Sequence, residues 1–90
     1  MKSIKITVHG RVQGVGFRYC TKMVADQLNI NGIVKNQSDG SVYIEAQGDP
    51  QAIHSFAKRI IASPTPSGHV SNYDIADNSI KNYTSFNVVY

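Results

Sequence analysis

Residues 8–18, VHGRVQGVGFR, decide the fold because they join a predicted strand to a predicted helix through a loop rich in glycine. Before the loop, Ile4, Ile6 and Val8 alternate with polar residues, which is the period of a strand buried on one face. That strand is predicted to end at the first glycine. After the loop, apolar or small residues recur at helical spacing from Phe17 onward. These residues are Cys20, Thr21, Val24 and Leu28. The spacing predicts a helix, with Cys20 as a small core residue.

Two further strands, residues 33–36 and 42–46, are predicted to form a hairpin. Asp39 and Gly40 lie between them, and both residues tolerate the positive φ angles that a tight turn requires. The first helix is expected to stop before this hairpin, at Asn31-Gly32.

The second predicted helix begins after the hairpin. Asp49 fits its N-cap and Pro50 its first helical position. Its buried stripe consists of Ile53, Phe56, Ala57, Ile60 and Ile61. The helix is predicted to end at residues 63–66, Ser-Pro-Thr-Pro, because a residue that precedes proline disfavours the helical conformation. Alternating apolar residues then indicate an irregular strand over 70–75 and a final strand over 86–90.

The predicted order of elements is therefore β, α, β, β, α, β, β. The simplest arrangement of these elements packs the two helices on one face of a mostly antiparallel sheet of four to five strands. We expect an α+β fold, a ferredoxin-like two-layer sandwich, formed by a single domain over residues 1–90. The sequence does not fix the position of the fifth strand or the structure of residues 66–84.

Composition limits the classes of protein that fit. The chain has 90 residues, 41% of them hydrophobic, and a formal net charge of +3, which suits a small folded domain with anionic partners. Cys20 is the only cysteine, so no intramolecular disulfide and no thiolate metal cluster is expected. Residues 1–6 interleave charged and apolar residues and match neither a signal peptide nor a membrane span. We expect a cytoplasmic monomer with no membrane partner.

The loop between the first strand and the first helix is a candidate anion site. The N–H groups of a first helical turn have no partners within the helix, and the helix dipole adds partial positive charge. Glycines let the backbone approach an anion, and Arg18 adds a forked cationic donor that matches a phosphoryl group. The alternative interpretation of the glycines is a plain tight turn. The spacing fits neither a P-loop nor a dinucleotide-binding fingerprint.

Residues 8–18 resemble the first signature of the acylphosphatase family. Residues 32–42, GIVKNQSDGSV, with Gly48 after them, resemble the second. The two signatures occur in the family's order in a chain of the family's length. Ile33 departs from the pattern, because family members usually carry an aromatic residue there.

This resemblance implies a ferredoxin-like fold and the hydrolysis of acyl phosphates without a metal, a cofactor or a covalent intermediate. It implies that the Arg18 side chain binds the phosphoryl oxygens and that Asn36 holds the attacking water. It also implies phosphate binding by a series of backbone amides. These amides are those of Gln13, Gly14, Val15, Gly16, Phe17 and Arg18. Inorganic phosphate or sulfate is then expected as a ligand or inhibitor.

This chemistry suits the residue types. Phosphoryl transfer depends on positioning and charge stabilisation, which one arginine and several amides supply. The leaving carboxylate has a conjugate acid of pKa ~4 and needs no proton donor. Asn36 cannot act as a base, but its amide can orient a water molecule. It shares a strand face with Val34, so it can face the first helix. A lone asparagine at a strand end is otherwise a turn or cap residue, and the pairing with Arg18 favours the catalytic role.

Other residues have structural interpretations. His9, His54 and His69 show no metal spacing and fit surface positions. Asp39 is expected in a turn and Asp49 at a helix cap. The other carboxylates, Glu45 among them, are expected to be exposed to solvent. Two alternatives remain. One is a non-catalytic anion-binding or accessory domain of the same fold. The other is an RNA-binding module, which is disfavoured because the central strands offer few aromatic residues for base stacking, so no nucleic-acid partner is expected.

Overall fold

A computed structural model describes all 90 residues and contains two helices and five strands. The elements follow the predicted order. They are β1 (Lys2–Arg11), α1 (Phe17–Gln27), β2 (Asn31–Asn36), β3 (Val42–Gly48), α2 (Pro50–Ile61), β4 (His69–Asp77) and β5 (Phe86–Val89). Asp49 caps α2 as predicted, because its carboxylate accepts a hydrogen bond from the Gln51 backbone N–H.

The five strands form one sheet in the order β4-β1-β3-β2-β5. All neighbours are antiparallel except β2 and β5, which are parallel. The predicted α+β ferredoxin-like arrangement is therefore confirmed. The fifth strand, which the sequence left unplaced, lies at the edge beside β2. Neither helix is both long and apolar enough to cross a membrane.

The core lies between the helices and one face of the sheet. Ile4, Ile6 and Val8 alternate into it from β1, and alternate residues of β3 contribute in the same way. β4, on the other side of β1, is mostly exposed. From the helices, Phe17 and Phe56 are almost fully buried. Burial of a large apolar side chain contributes roughly 1.5–3 kcal/mol, so this layer holds the two helices on the sheet.

Two predictions about α1 are wrong. The helix ends at Gln27, and Asn29 adopts the left-handed conformation just after it with φ 55°. Asn31 and Gly32 lie in β2 instead. Gly32 has φ 153°, and a Cβ there would lie 1.8 Å from the carbonyl oxygen of Glu45, so the close approach of β3 requires glycine. Cys20 is half-buried rather than part of the core.

The other face of the sheet is partly covered by the segment that connects β4 to β5. Glu45 on this face is buried, which contradicts the prediction that it is solvated. Its carboxylate accepts hydrogen bonds from Lys81 Nζ at 2.7 Å, Tyr83 OH at 2.7 Å and Tyr43 OH at 2.6 Å. Burial alone would raise the pKa of Glu45, but these three donors outweigh it and lower the pKa to about 2.

Candidate active site

Three strands end at one edge of the sheet. β1 and β2 both run antiparallel to β3, and Val42 at the start of β3 pairs with Val8 on one side and with Asn36 on the other. β5 is parallel to β2 and ends at the same edge. The loop that follows β1, the last residue of β2 and the residue after β5, Tyr90, are therefore neighbours in space. We refer to this side, where the sequence analysis predicts the site, as the catalytic edge.

The loop predicted to bind phosphate, which we call the phosphate loop, consists of residues 12–16 and connects β1 to α1 at the catalytic edge. Gly14 and Gly16 have φ angles of 75° and 79°, and a Cβ at either position would meet nothing within 4 Å. The left-handed backbone, not a close contact, therefore favours glycine at both positions. None of the N–H groups of residues 13–16 donates to a backbone oxygen, and the free N–H groups of the first turn of α1 follow directly. Such a series of free amides binds anions.

Thr65 holds the phosphate loop from the side of α2. This buried residue donates a hydrogen bond from its hydroxyl to the carbonyl oxygen of Val15 at 3.1 Å. In a trans peptide unit the C=O and N–H groups point in opposite directions. The N–H of Gly16 therefore points away from Thr65, toward the open side of the loop. Sequence reasoning missed Thr65, although its position between two prolines marked an ordered segment.

Arg18 lies in the first turn of α1, beside the phosphate loop. The three ion pairs of the protein are formed by other residues, Lys2, Lys22 and Lys81, so no carboxylate neutralises the Arg18 guanidinium. Its Cζ atom lies 4.8 Å from the ring centroid of Tyr90, within the range of a cation–π contact. No local sequence pattern indicates this contact, because the two residues lie toward opposite ends of the chain.

Asn36 is the last residue of β2. It lies on the same strand face as Val34, which is fully buried under the helices. The Oδ1 atom of Asn36 is buried and has no hydrogen-bond partner in the protein. An unpaired buried acceptor is costly, so such an atom in a native protein requires an explanation, and binding of a ligand or water supplies one.

The β2–β3 hairpin keeps Asn36 in place. Its turn differs in detail from the prediction, because only Gly40 has a positive φ angle. Asp39 instead accepts hydrogen bonds from the Ser41 hydroxyl and from the Ser41 backbone N–H. The two bonds hold the pKa of Asp39 below its usual value, and the bond from the Ser41 hydroxyl has the larger effect.

The structure shows no cluster of metal-ligating side chains, and its one hollow lies away from the catalytic edge. No three His, Cys, Asp or Glu side chains come together as a metal site. A hollow of about 230 Å³ opens beside Lys2, Ile4 and Ile53, at the opposite end of β1 from the phosphate loop. This hollow is therefore separate from the catalytic edge.

The chain is similar to acylphosphatases in both sequence and structure. The acylphosphatase family model matches residues 4–88. The acylphosphatase of Ligilactobacillus salivarius is 50% identical over 90 residues, covering all of both chains. The crystal structure of acylphosphatase from Bacillus subtilis has a TM-score of 0.95 and 38% identity, again over both full chains. Full-length HypF in its phosphate- and nucleotide-bound form has a TM-score of 0.92 and 31% identity, over 99% of this chain and 12% of that chain.

The family model covers both sequence signatures, and the acylphosphatases of L. salivarius and B. subtilis match over the full chain. The resemblance drawn from residues 8–18 and 32–42 is therefore confirmed, and the chain belongs to the acylphosphatase family of enzymes.

Proposed function

We propose that this chain hydrolyses small acyl phosphates by direct attack of water on phosphorus. Arg18 and the backbone N–H groups of residues 13–18 hold the phosphoryl group, and Asn36 orients the water. One observation carries the proposal: free amides, an unneutralised guanidinium and a buried unpaired amide oxygen meet at one edge of the sheet.

The reaction needs no further protein group. The water oxygen forms a bond to phosphorus while the bond between phosphorus and the acyl oxygen breaks. The electron pair of that bond leaves with the carboxylate, whose conjugate acid has a pKa of ~4, so no proton donor is required. The proton released by the water passes to a phosphate oxygen. The products are the carboxylate and inorganic phosphate.

Arg18 and the loop amides stabilise the charge of the transferring group. The guanidinium offers paired N–H donors to two phosphoryl oxygens, and the amides of the first turn add the partial charge of the helix dipole. These donors are fixed before the substrate arrives, which makes them effective in the transition state. The same donors bind inorganic phosphate or sulfate, so both ions are expected to inhibit competitively.

Asn36 acts by orientation. A neutral carboxamide does not take a proton near neutral pH, but its oxygen accepts a hydrogen bond from water. The buried Oδ1 atom has no competing donor within the protein, which supports this role.

We also propose that the protein works as a monomeric single domain, residues 1–90, in the cytoplasm. One sheet includes all five strands, and every group of the proposed site comes from one chain. The single cysteine suits a reducing compartment. The proposed ligands are small anions, with no nucleic-acid or membrane partner.

The proposal is tested with benzoyl phosphate, whose ultraviolet absorbance falls on hydrolysis. We expect turnover by the purified protein that is unchanged by a chelator and competitively inhibited by inorganic phosphate. Binding of phosphate without any turnover would support the non-catalytic anion-binding domain instead. Loss of turnover with the chelator would contradict the metal-free mechanism.

A further inference from the structure

The side chain of Gln13 joins the phosphate loop to the hairpin that follows Asn36. Its Nε2 atom donates to the carbonyl oxygen of Gln37 at 2.8 Å and to that of Ser41 at 2.9 Å. An NH₂ group has two hydrogens, so both are used. The same two carbonyls close the hairpin loop, because they also accept from the N–H groups of Gly40 and Gln37 respectively. One carboxamide therefore ties the first part of the phosphate loop to the residue directly after Asn36.

The other contacts of the phosphate loop are made with the core and with Thr65, not with the hairpin. Val12 is buried in the core and Val15 packs against it. A Cβ at Gly14 or Gly16 would meet nothing within 4 Å, so the loop has open space on that side of both glycines. The Thr65 hydroxyl holds Val15, but it comes from the side of α2 and does not contact the hairpin. Thr65 therefore fixes the direction of the loop amides, whereas Gln13 fixes the loop relative to Asn36.

Building on the roles proposed for Arg18 and Asn36, we propose that the Gln13 side chain is a positioning residue for the attacking water. It sets the distance between the bound phosphoryl group and the Asn36 amide. Attack on phosphorus requires the water to lie in line with the leaving oxygen, and a misplacement of about 1 Å can lower the rate by ~100-fold. Loss of the Gln13 bonds therefore affects alignment more than phosphate binding.

The test compares Gln13→Met, which keeps an unbranched side chain of similar length but cannot donate, with Thr65→Val, which removes the hydroxyl on the opposite side. For Gln13→Met we expect kcat for benzoyl phosphate to fall by about tenfold or more, with the inhibition constant of inorganic phosphate changed by less than about twofold. For Thr65→Val we expect the inhibition constant to rise, because the Gly16 amide is no longer held toward the anion.

Two results would overturn the proposal. Equal losses in kcat and in phosphate affinity for Gln13→Met would mean that the Gln13 side chain, and not only its backbone amide, serves phosphate binding. No loss in either would show that the side-chain hydrogen bonds have no positioning role. Circular dichroism checks that the variant folds. Gln13→Asn keeps the amide but is one methylene too short to make both hydrogen bonds. It is expected to lower kcat with little change in the inhibition constant of phosphate, and it replaces Gln13→Met if that variant does not fold.

A second measurement does not depend on activity. In the ¹⁵N NMR spectrum of the phosphate-saturated protein, we expect Gln13→Met to shift the side-chain amide signals of Asn36, while the backbone amides of Gly14 and Gly16 still respond to phosphate. Unchanged Asn36 signals would overturn the proposal. Absence of turnover by the unaltered protein would contradict the proposed function, and the spectra would still decide whether Gln13 positions Asn36.

Discussion

The Arg18 guanidinium lies against the aromatic ring of Tyr90, with 4.8 Å between the arginine Cζ atom and the ring centroid. Tyr90 follows β5, and the parallel pairing of β5 with β2 brings it to the catalytic edge. A cation–π contact at an exposed site is worth about 0.5–1 kcal/mol, enough to favour one arrangement of a long side chain. The ring therefore restrains the cation that is proposed to hold the phosphoryl group.

Replacement of this ring tests the contact. We expect Tyr90→Leu to raise the inhibition constant of inorganic phosphate by roughly two- to fivefold, because the guanidinium loses its aromatic support. Tyr90→Phe keeps the ring and should behave like the unaltered protein. Equal losses for the two substitutions would mean that the hydroxyl matters and not the cation–π contact. No loss for either would mean that the ring does not restrain Arg18.

Substitution of Arg18 is expected to remove most activity. Arg18→Ala should lower kcat/KM for benzoyl phosphate by roughly 100- to 1,000-fold, since one group supplies both binding and charge stabilisation. Arg18→Lys keeps the charge but not the planar fork, so it should restore little of this loss. Steady-state kinetics measure both variants. Near-complete activity of Arg18→Lys would show that charge alone is sufficient.

Substitution of Asn36 should separate catalysis from binding. Asn36→Ala is expected to lower kcat by about 100-fold while phosphate still inhibits as before, because the phosphate contacts lie elsewhere. Asn36→Asp, nearly identical in shape, places a negative charge beside the anion and should also weaken phosphate inhibition. A large loss of phosphate affinity in Asn36→Ala would contradict the assignment of Asn36 to the water.

Replacement of Gly32 or Gly14 by alanine should lower the free energy of unfolding by different amounts, although both glycines have positive φ angles. Gly32→Ala would put a Cβ 1.8 Å from the Glu45 carbonyl oxygen, so we expect a loss of more than ~3 kcal/mol in the free energy of unfolding. At Gly14 the space is open, and Gly14→Ala should lose only about 1 kcal/mol through backbone strain. Urea unfolding measures both. Similar losses would show that the contact with β3 relaxes without cost.

Glu45 makes stability fall in acid. Its pKa is about 2 in the folded protein, against 4.5 for an unperturbed glutamate, so the folded state binds this proton less readily than the unfolded state. The contribution, at most ~3 kcal/mol, is fully present above pH ~4.5 and is lost as the pH falls toward 2. Glu45→Gln should flatten the pH dependence of urea unfolding between pH 5 and 2. An unchanged slope would contradict the low pKa.

Much of the fold could be predicted from the sequence because local rules determine it. The glycines of the phosphate loop, the Asp49 cap and the alternation of Ile4, Ile6 and Val8 each depend on neighbours in the chain. The same holds for the strand face that Asn36 shares with Val34. The roles of Arg18 and Asn36 depend on the resemblance of residues 8–18 and 32–42 to the acylphosphatase signatures, because the local pattern alone also fits a plain turn and a cap residue.

The rest depends on contacts between distant residues. Thr65 holds Val15 across 50 positions, and Tyr90 reaches Arg18 only through the pairing of β5. Neither contact follows from a local pattern. Glu45 is predicted to be exposed because it lies on the polar face of β3. The sequence pattern does not reveal that the segment before β5 covers this face.

The parallel pairing of β5 with β2 also has a consequence for folding. Gly32 pairs with Phe86, 54 residues later, whereas β2 and β3 are joined by a short turn. Pairing over a long loop carries a larger closure entropy and forms slowly. The pairing of β1 with β4 joins residues still farther apart in the chain, with Ile4 opposite Asp77. We therefore expect both edge strands, β4 and β5, to dock onto an already assembled β1-β3-β2 sheet, so that a nascent or refolding chain reaches most of its structure before Tyr90 reaches Arg18.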